Sequence, residues 1–459
     1  MYMNRLVRII GGGLAGSEAA LWLADMGVNV ELYEMRPHVS TAVHRTGKMA
    51  ELVCSNSLKS FKSDTAAGML KTELDMLGSR LFACALETKI DAGGALAVDR
   101  DMFSDLVTNM LESNARIDIK HQEVTSLEDV THECDALLVA TGPLTSDSLA
   151  DKLKFLTGSE HLAFYDAAAP IVMADSIDNS RVFRQSRYVE EHGQGDYLNC
   201  PFTKSEYDEF IDALIGADRV VKRDFETSDL FQACQPIEEI ARKGVDAPRF
   251  GAMKPVGLTD PVTGKRPWAA VQLRAENAHG SSFNLVGFQT NLTFPEQKRV
   301  FRMIPGLENA EFARYGVMHR NTYVDAPRVL RSTGQMMGNV SNVLDIPVYI
   351  AGQLAGTEGY CEAMRSGINA AISISAQLKN VQLPKVSVHT VFGALIEYAT
   401  NPSTKNYQPM HVNFGIMEPL QEPIRNKSER YAAYAQRGKC ALEEYIDCLK
   451  RLDLFPKRY

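Results

Sequence analysis

Residues 6–27 read LVRIIGGGLAGSEAALWLADMG, an apolar run followed by a glycine turn and an amphipathic stretch. The turn has the spacing Gly-x-Gly-x-x-Gly. Its first glycine makes a tight turn, the second lets the backbone approach a pyrophosphate, and the third lets a helix pack on the strand. A strand, this turn and a helix in that order predict a dinucleotide-binding half-site, although glycine-rich turns also occur in ordinary loops. The predicted contacts are Gly11, Gly12, Gly13, Leu14, Ala15 and Gly16.

A second apolar run, residues 28–33, ends at Glu34. An acidic residue at this position accepts hydrogen bonds from the ribose diol of a dinucleotide. No second glycine fingerprint occurs further along the chain. If the bound dinucleotide is FAD, we therefore expect no separate nicotinamide-binding domain. A nicotinamide donor would then bind only transiently while it reduces the flavin.

Length and composition predict a soluble protein of two or three domains. The chain has 459 residues, of which 45% are hydrophobic and 23% charged. It contains no run of about 18 apolar residues that could cross a bilayer. The glycine turn interrupts the N-terminal apolar residues too early for a signal peptide, so we expect a cytoplasmic protein without a membrane partner.

Cysteine spacing and charge give two further expectations. The eight cysteines form no Cys-x-x-Cys pair, so the sequence predicts neither a metal site nor a redox disulfide. The net charge of -8 hides a basic region, because residues 242–331 hold 14 Lys and Arg against 7 Asp and Glu. This region is either a solvated face or a phosphate-binding surface, and the residues alone leave both interpretations open.

Two apolar runs far apart in the chain end in glycine turns. Residues 136–140 are followed by Thr141 and Gly142, and residues 348–351 by GQLAGTEG, residues 352–359. Strands that end this way at both ends of a chain predict one parallel sheet assembled from distant segments. We therefore predict a dinucleotide-binding domain formed by residues 1–150 and 336–385. Residues 151–335, with short β-rich runs at 269–273 and 284–289, form an inserted mixed α+β domain with an antiparallel sheet, and residues 386–459 form a helical segment on the first domain.

Two cysteines have neighbours that suggest chemistry. Cys54 lies in ELVCSNS, where hydroxyl and amide side chains could orient a thiol, and Cys234 lies in FQACQPIEE at the start of the basic region. A buried, inert thiol is the plainer interpretation of each one on these grounds.

Several motifs together resemble the folate- and FAD-dependent tRNA (uracil-5-)-methyltransferases, a family often called TrmFO. The matches extend from residue 9 to about residue 420 of the 459-residue sequence. They are GGGLAGSE (11–18), ELVCSNS (51–57), GGALAVDR (93–100), ATGPL (140–144), YLNCP (197–201), Cys234 with PIE (236–238), GKRP (264–267), NLVGFQT (284–290), RMIPGLENAEFARYGVMHRN (302–321) and VNFG (412–415).

The resemblance implies a fold and a reaction. The fold is α/β, with a Rossmann-type, glutathione-reductase-like FAD-binding domain and an inserted mixed α+β domain. Methylenetetrahydrofolate supplies a one-carbon unit, reduced FAD supplies a hydride, and carbon 5 of the T-loop uridine in tRNA is methylated, with NADH or NADPH as reductant. By the family's motifs Cys234 is the nucleophile and Cys54 the base, or else a residue that shapes the flavin site; Cys200 has a packing role.

The resemblance also implies further contacts with the folate, the RNA and the flavin. His319 stacks on or hydrogen-bonds the folate pterin, or is an interior histidine, and Tyr360 covers the flavin face or packs in the core. Cations that would contact RNA or the folate carboxylates are Arg274, Lys298, Arg299 and Arg320. Further flavin contacts are Thr141, Gly142, Gly352, Gln353, Gly356 and Gly359.

Two departures from the family pattern leave alternatives open. The chain after Tyr360 reaches its small-residue helix about four residues early, roughly one helical turn, and residues 232, 233 and 235 differ around Cys234. The alternatives are the same chemistry on a ribosomal RNA uridine, or an FAD-binding protein that interacts with RNA without methyl transfer. The sequence makes no prediction of oligomeric state.

Overall fold

A computed structural model describes residues 5–41, 43–157, 162–187, 195–220, 235–337, 344–404 and 407–457. Its strands and helices carry the labels used below. The strands are β1 Leu6–Ile10, β2 Asn29–Glu34, β3 Ser57–Ser60, β4 Lys89–Ile90, β5 Ala95–Val98, β6 Ile117–His121, β7 Ala136–Val139, β8 Leu162–Ala167, β9 Ile171–Met173, β10 Phe183–Arg184, β11 Tyr197–Phe202, β12 Ala269–Ala275, β13 Ser282–Leu285, β14 Phe312–Arg314, β15 Met318–Tyr323 and β16 Val348–Ile350. The α-helices are α1 Leu14–Asp25, α2 Ala66–Leu77, α3 Arg80–Glu87, α4 Arg100–Glu112, α5 Asp147–Thr157, α6 Lys204–Gly216, α7 Ile237–Lys243, α8 Ala247–Phe250, α9 Phe294–Phe301, α10 Ala326–Val329, α11 Tyr360–Lys379, α12 Val391–Thr400 and α13 Lys427–Arg451.

A parallel five-stranded sheet joins the two ends of the chain. Its strand order is β16-β7-β1-β2-β6, so β16 pairs with β7 although about half of the chain separates them. Strand β7 is buried at every position, as expected for a parallel sheet that helices cover on both faces. This confirms the prediction of one Rossmann-type sheet assembled from distant segments.

Helices α1 and α11 pack closely against each other beside this sheet. A Cβ at Gly367 of α11 would lie 2.2 Å from the carbonyl oxygen of Ala15 in α1, which requires a glycine there. The close approach brings the helix after the second glycine turn directly against the helix that follows the first.

The middle of the chain forms a six-stranded sheet with its own core. The strand order is β10-β11-β12-β13-β9-β14, and each pairing is antiparallel, which confirms the predicted mixed α+β insert. The core behind the sheet contains the buried rings of Phe202, Phe210, Phe288 and Phe301. The expectation of a strand over 284–289 is wrong in its second half. Strand β13 ends at Leu285 because Gly287, with φ +78°, turns the backbone out of the sheet.

The C-terminal helices lie on the first sheet's helical layer. Tyr434, Leu442 and Tyr445 of α13 belong to the same buried cluster as the strands of the parallel sheet. The amide of Val391, at the start of α12, donates to Glu73 Oε1 of α2 at 2.7 Å. Among the described residues no helix is both long and apolar enough to span a bilayer.

The inserted sheet contacts the first domain through side-chain hydrogen bonds. Arg274 Nε in β12 donates to Asn56 Oδ1 at 2.9 Å, and Asn56 Nδ2 donates to the carbonyl of Ala275 at 3.0 Å. The Tyr197 hydroxyl donates to the carbonyl of Ala92 at 2.9 Å. The segment just after Cys54 is therefore fixed to the insert.

Candidate functional site

The glycine turn has a shape that only its glycines allow. Gly11 has φ +104°, and a Cβ there would lie 2.6 Å from the carbonyl oxygen of Ala140. A Cβ at Gly16 would lie 1.9 Å from the carbonyl oxygen of Gly11, so α1 can begin here only without a side chain. Gly13, the residue before α1, has no atom within 4 Å of its Cβ position. The open side of the turn thus presents backbone N–H groups at a helix N-terminus, the arrangement that binds a pyrophosphate.

Glu34 lies at the end of β2, and its carboxylate contacts the backbone of the glycine turn. Its Oε2 accepts from the Gly12 amide at 2.9 Å, and its Oε1 accepts from Arg36 Nε at 2.8 Å. Burial raises the pKa of the Glu34 carboxyl, but the hydrogen bonds and charge of Arg36 and the Gly12 amide outweigh it and hold the pKa below its usual value. Each carboxylate oxygen accepts more than one hydrogen bond, so the predicted contact with a ribose hydroxyl remains compatible with these bonds.

A cleft with a cavity volume of about 70 Å³ opens above the glycine turn. Thr141, the residue predicted to follow β7, lines it, and its hydroxyl lies 2.6 Å from that of Thr145. Gly142 begins the next short turn with φ +68°. The other residues that line the cleft include Ile10, Gly11, Gly13, Tyr33, Glu34, Met35, Arg36 and His44. Of the predicted dinucleotide contacts, the cleft thus brings together Gly11, Gly13, Glu34 and Thr141.

The second glycine turn follows β16 at the same edge of the sheet. The Gly352 amide donates to Ser366 Oγ at 2.9 Å, and Gln353 hydrogen-bonds the carboxylate of Glu358. A Cβ at Gly356, where φ is +84°, would lie 1.5 Å from the hydroxyl of Tyr407. Gly359 has φ +121° and leads directly into α11. The turn is tightly enclosed on its protein side, and the predicted contacts of this turn with a flavin remain predictions.

Tyr360 has a role that the sequence did not predict. Its hydroxyl accepts from the Cys54 amide at 3.0 Å and donates to the carbonyl of Ser55 at 2.9 Å. Burial raises the pKa of Tyr360, and the neighbouring Cys54 raises it further. The tyrosine is therefore a neutral hydrogen-bonding anchor that ties the Cys54 loop to the start of α11.

Two arginines, the buried Arg314 and the partly buried Arg100, hold carbonyl groups of the Cys54 loop, which we define as residues 52–55. Arg314 Nη2 donates to the Cys54 carbonyl at 2.7 Å, and Arg100 Nη2 does so at 3.3 Å. Arg314 also donates to Val53, Arg100 donates to Leu52, and Glu276 pairs with Arg100 at 2.8 Å. Burial, together with repulsion from Arg100, lowers the pKa of Arg314 to about 10, so it stays charged at neutral pH. Both cations lie close enough to the Cys54 thiol to interact with it electrostatically.

These two arginines are functional candidates that the sequence reasoning missed. Arg100 ends the quoted motif GGALAVDR, and Arg314 lies inside the motif that contains FARYG. A signal was present at Arg100, which ends the largely apolar run GGALAVDR, since an arginine among apolar residues is buried only with partners. The identity of those partners depends on the fold and could not be obtained from the motif.

The predicted cations are located in different surroundings. Lys298 and Arg299 are exposed in the last turn of α9, where Arg299 pairs with Glu296 at 2.5 Å. Arg274 is instead buried in β12, with its Nε bonded to Asn56. Lys298 and Arg299 are thus accessible to an RNA or folate ligand. Arg274 instead joins the inserted sheet to the segment after Cys54.

Three predicted site residues have side chains outside the described part of the chain. Cys234 lies outside the described residues altogether. His319 and Arg320 lie in β15, where the backbone pairs with β8, and their side chains are not described. Cys200 is fully buried in β11 and burial raises its pKa, which agrees with a packing role. The described residues contain no group of three or more His, Cys, Asp or Glu that could hold a metal ion.

Comparison with known proteins gives one relationship over nearly the whole chain. The family model described as glucose inhibited division protein A matches residues 6–382. The chain is 48% identical over 448 residues to the methylenetetrahydrofolate–tRNA-(uracil-5-)-methyltransferase TrmFO of Desulforamulus reducens, covering 98% of this chain and 99% of that protein. It is 47% identical over 451 residues to the protein of the same name from Enterococcus faecalis, covering 98% of this chain and 100% of that one.

Solved structures show a similar fold at lower identity. The form I crystal structure of Aquifex aeolicus GidA has a TM-score of 0.67 at 17% identity, covering 97% of this chain and 78% of that one. The form II crystal structure of the same protein has a TM-score of 0.64, also at 17% identity, covering 98% and 77%. At this identity the likeness supports the fold alone.

Proposed function

The chain belongs both to the glucose inhibited division protein A family and to the methylenetetrahydrofolate–tRNA-(uracil-5-)-methyltransferases called TrmFO, and on that premise we propose that it methylates carbon 5 of the T-loop uridine in tRNA. Methylenetetrahydrofolate is the one-carbon donor and FAD the cofactor. The observation that carries the proposal is the identity of 48% over 98% of the chain. The cleft above the glycine turn supports it, because Gly11 and Gly13 of the turn and Glu34 line it together.

The chemistry requires a nucleophile, and we assign that role to Cys234. Carbon 5 of uracil attacks an electrophile poorly until a thiolate adds at carbon 6, which places an enolate across carbons 4 and 5. The enolate then forms a bond to the methylene carbon of the folate while the bond from that carbon to N10 breaks. After carbon 5 loses its proton, the bond to N5 breaks as well, which releases tetrahydrofolate and leaves an exocyclic methylene on carbon 5. The Cys234 thiolate leaves again when the product forms, so the enzyme is regenerated.

Loss of the proton on carbon 5 requires a base, and we assign that role to Cys54. A base must lie within hydrogen-bond reach of the proton that it takes. The contacts of Tyr360, Arg100 and Arg314 support this assignment because they fix the backbone of the loop that carries the thiol. The competing proposal is that Cys54 only shapes the flavin site, and a variant with Cys54→Ser separates the two by its effect on proton loss.

The residues present fit an FAD molecule. Gly11, Gly12, Gly13 and Gly16 would hold its pyrophosphate, and Glu34 its ribose. When bound and reduced, FAD supplies the hydride that the exocyclic methylene must accept, with NADH or NADPH as the source of electrons.

The RNA must expose its target base to the thiols. A stacked uridine has to be turned out of the folded RNA into the site, which costs a few kcal/mol of unstacking. The basic region around α9 supports a role in holding the RNA, since Lys298 and Arg299 are exposed there. We propose the cytoplasm as the place of reaction because the RNA substrate and reduced nicotinamide occur there together.

A direct experiment tests the proposed function. The purified protein is incubated with unmodified tRNA, methylenetetrahydrofolate and NADH or NADPH, and the RNA is digested to nucleosides. We expect ribothymidine, at a position mapped in parallel in tRNA and ribosomal RNA. A folded, FAD-containing protein that forms none would refute the proposal, and product only in ribosomal RNA would reassign the substrate.

The nucleophile is tested separately with RNA that contains 5-fluorouridine. Such RNA forms a covalent adduct with the attacking thiol because fluorine cannot leave as a proton does. We expect Cys234→Ala to abolish the adduct, whereas Cys440→Ala, a change at an exposed cysteine of α13, leaves it intact. An undiminished adduct with Cys234→Ala would reassign the nucleophile.

A further inference from the structure

A second cleft borders the Cys54 loop at Val53. Its cavity volume is about 210 Å³, and it lies between the segment after Arg36, the end of β14 and the start of α9. Arg314, whose guanidinium holds the Cys54 carbonyl, forms part of its wall. The cleft is therefore one residue away from the thiol that we propose as base. Its lining residues are Val43, Arg45, Val53, Phe294, Phe312 and Arg314, with Ala168, Ala313, Tyr315 and Val317.

One wall of this cleft is a row of nearly parallel aromatic rings. The ring of Tyr315 stacks on Phe294 with centroids 4.9 Å apart and on Phe312 with centroids 5.0 Å apart, each at an interplanar angle of 17°. Phe294 is 49% exposed, although it is a large apolar side chain. Flat aromatic groups extend such a stack favourably, because an offset-stacked ring gains attraction beyond its buried area.

The charged residues that line the cleft, Arg45 and Arg314, are both cations. Arg314 is 7% exposed, and its Nε has no hydrogen-bond partner among the described residues. Arg45 is exposed and donates through Nη1 to the carbonyl of Ala313, which holds it at the rim. No acidic residue is among the described lining residues. A ligand that enters the cleft therefore meets positive charge with no carboxylate in the described lining to neutralise it.

Lys298 adds a further positive charge on the same side. It follows Phe294 by four residues in α9, and residues with this spacing lie on one face of a helix. An aromatic surface bounded by cations is how proteins bind single-stranded nucleotides, with the base on the ring and the phosphate on the cations.

We propose that this cleft binds the nucleotide next to the target uridine, with its base stacked on Phe294 and its phosphate beside Arg45 and Lys298. The inference rests on the proposed function, because it assumes an RNA whose target base enters the site at Cys54. A nucleotide adjacent in the RNA chain has to lie adjacent to that base in space. The cleft meets this requirement, since Val53 is part of its wall.

The test uses tRNA transcripts in which the nucleotide on the 5′ or the 3′ side of the target uridine lacks its base. We expect Phe294→Ala to weaken binding of intact tRNA about tenfold, since stacking of one base contributes on the order of tenfold or more. One of the two abasic tRNAs should bind the unchanged protein about equally weakly. The Phe294→Ala variant should bind that abasic tRNA less than twofold more weakly than the unchanged protein binds it, because both changes remove the same contact.

Matched variants separate stacking from general effects. Phe294→Tyr should restore binding, whereas Phe294→Leu, which keeps the apolar area, should not. Phe155→Ala, at an 82% exposed ring of α5 that does not line this cleft, should leave binding unchanged. Equal losses for Phe294→Ala and Phe155→Ala, or full additivity with both abasic tRNAs, would overturn the proposal.

Two further outcomes are distinguishable. A rise in the KM for methylenetetrahydrofolate with Phe294→Ala, at unchanged tRNA affinity, would assign the cleft to the folate and overturn the proposal. If the unchanged protein makes no ribothymidine, the proposed function has failed. If it makes ribothymidine while neither Phe294→Ala nor an abasic neighbour affects binding, only the present inference has failed.

Discussion

The glycine turn and the Cys54 loop serve one proposed reaction, but they are held in place in different ways. The Gly12 amide bonds to Glu34, only 22 residues away along the chain. The Cys54 loop bonds to Arg314 and Tyr360, which are 260 and 306 residues away. The turn is thus formed mainly by local chain geometry, whereas the loop forms only when several distant segments have come together. Substitutions that affect each region should therefore have different consequences.

The largest effect is expected at the glycine turn. A side chain at Gly16 would overlap the carbonyl of Gly11, so Gly16→Val should abolish FAD binding and lower the amount of folded protein. Gly13→Ala is the matched control, because its Cβ meets nothing within 4 Å and its φ of -75° suits alanine. It should keep the thermal midpoint while weakening FAD binding. Flavin absorbance per protein measures FAD binding, and thermal unfolding measures the midpoint. An equal loss of stability in the two variants would contradict this account.

A smaller but still large effect is expected at Arg314. Arg314→Met removes the donor to the carbonyls of Val53 and Ala169 and one of the two donors to the Cys54 carbonyl. It should cost about 3 kcal/mol of unfolding free energy, since each buried group left without a partner costs about 1–3 kcal/mol. Methylation should fall further than FAD content. Arg299→Ala, which breaks an exposed pair within α9, should change stability by less than about 0.5 kcal/mol. Denaturant unfolding measures both values, and similar losses would show that Arg314 has no special structural role.

Glu238 should give the insert a pH-dependent stability. Burial raises the pKa of its carboxyl to about 7, although the Asn291 amide and the Thr290 hydroxyl donate to it. The folded state therefore holds a proton that the unfolded chain releases near the ordinary value of 4.5, and this stabilisation is lost as the pH rises from about 4.5 through 7.

The corresponding measurement compares the protein with Glu238→Gln between pH 5 and pH 8. The variant should gain on the order of 2 kcal/mol relative to the unchanged protein over this interval, because glutamine has no charge to bury. Glu311→Gln, at an exposed position in the same part of the chain, serves as the control. It shows how much an exposed Glu→Gln substitution alone alters the pH dependence of the unfolding free energy. A constant difference at every pH would mean that Glu238 does not change its protonation state in this range.

The smallest effect is expected at Tyr360. Tyr360→Phe removes the acceptor of the Cys54 amide and the donor to the Ser55 carbonyl. Because both groups are only partly buried, the change should cost about 1–2 kcal/mol, the net value of two hydrogen bonds. FAD binding should be retained, while the loosened loop makes the Cys54 thiol react faster with iodoacetamide. Peptide mass analysis identifies which cysteine is alkylated, and an unchanged rate at Cys54 would mean that the hydroxyl does not restrain the loop.

The same comparison explains which features the sequence could predict. The turn at residues 11–16 and Glu34 were predictable because spacing within a short segment determines their geometry. The distant pairing of β7 and β16 was also predictable, since each strand ends in a recognisable glycine turn. The partners of Arg100, Arg314 and Tyr360 were not, because a buried hydrogen bond between segments depends on how whole layers dock. The second half of the run at 284–289 was mispredicted because Gly287 bends a stretch that is apolar enough to be a strand.

The position of Arg314 has a practical consequence for protein engineering. This residue belongs to the inserted sheet but supports a loop of the nucleotide-binding half, and Asn56 joins the same two parts. A chimera that exchanges the insert with that of a relative would therefore also exchange residues that hold the Cys54 loop in place. Such a graft should preserve the pair formed by residue 314 and the loop at 52–55, even if every surface that faces the RNA is replaced.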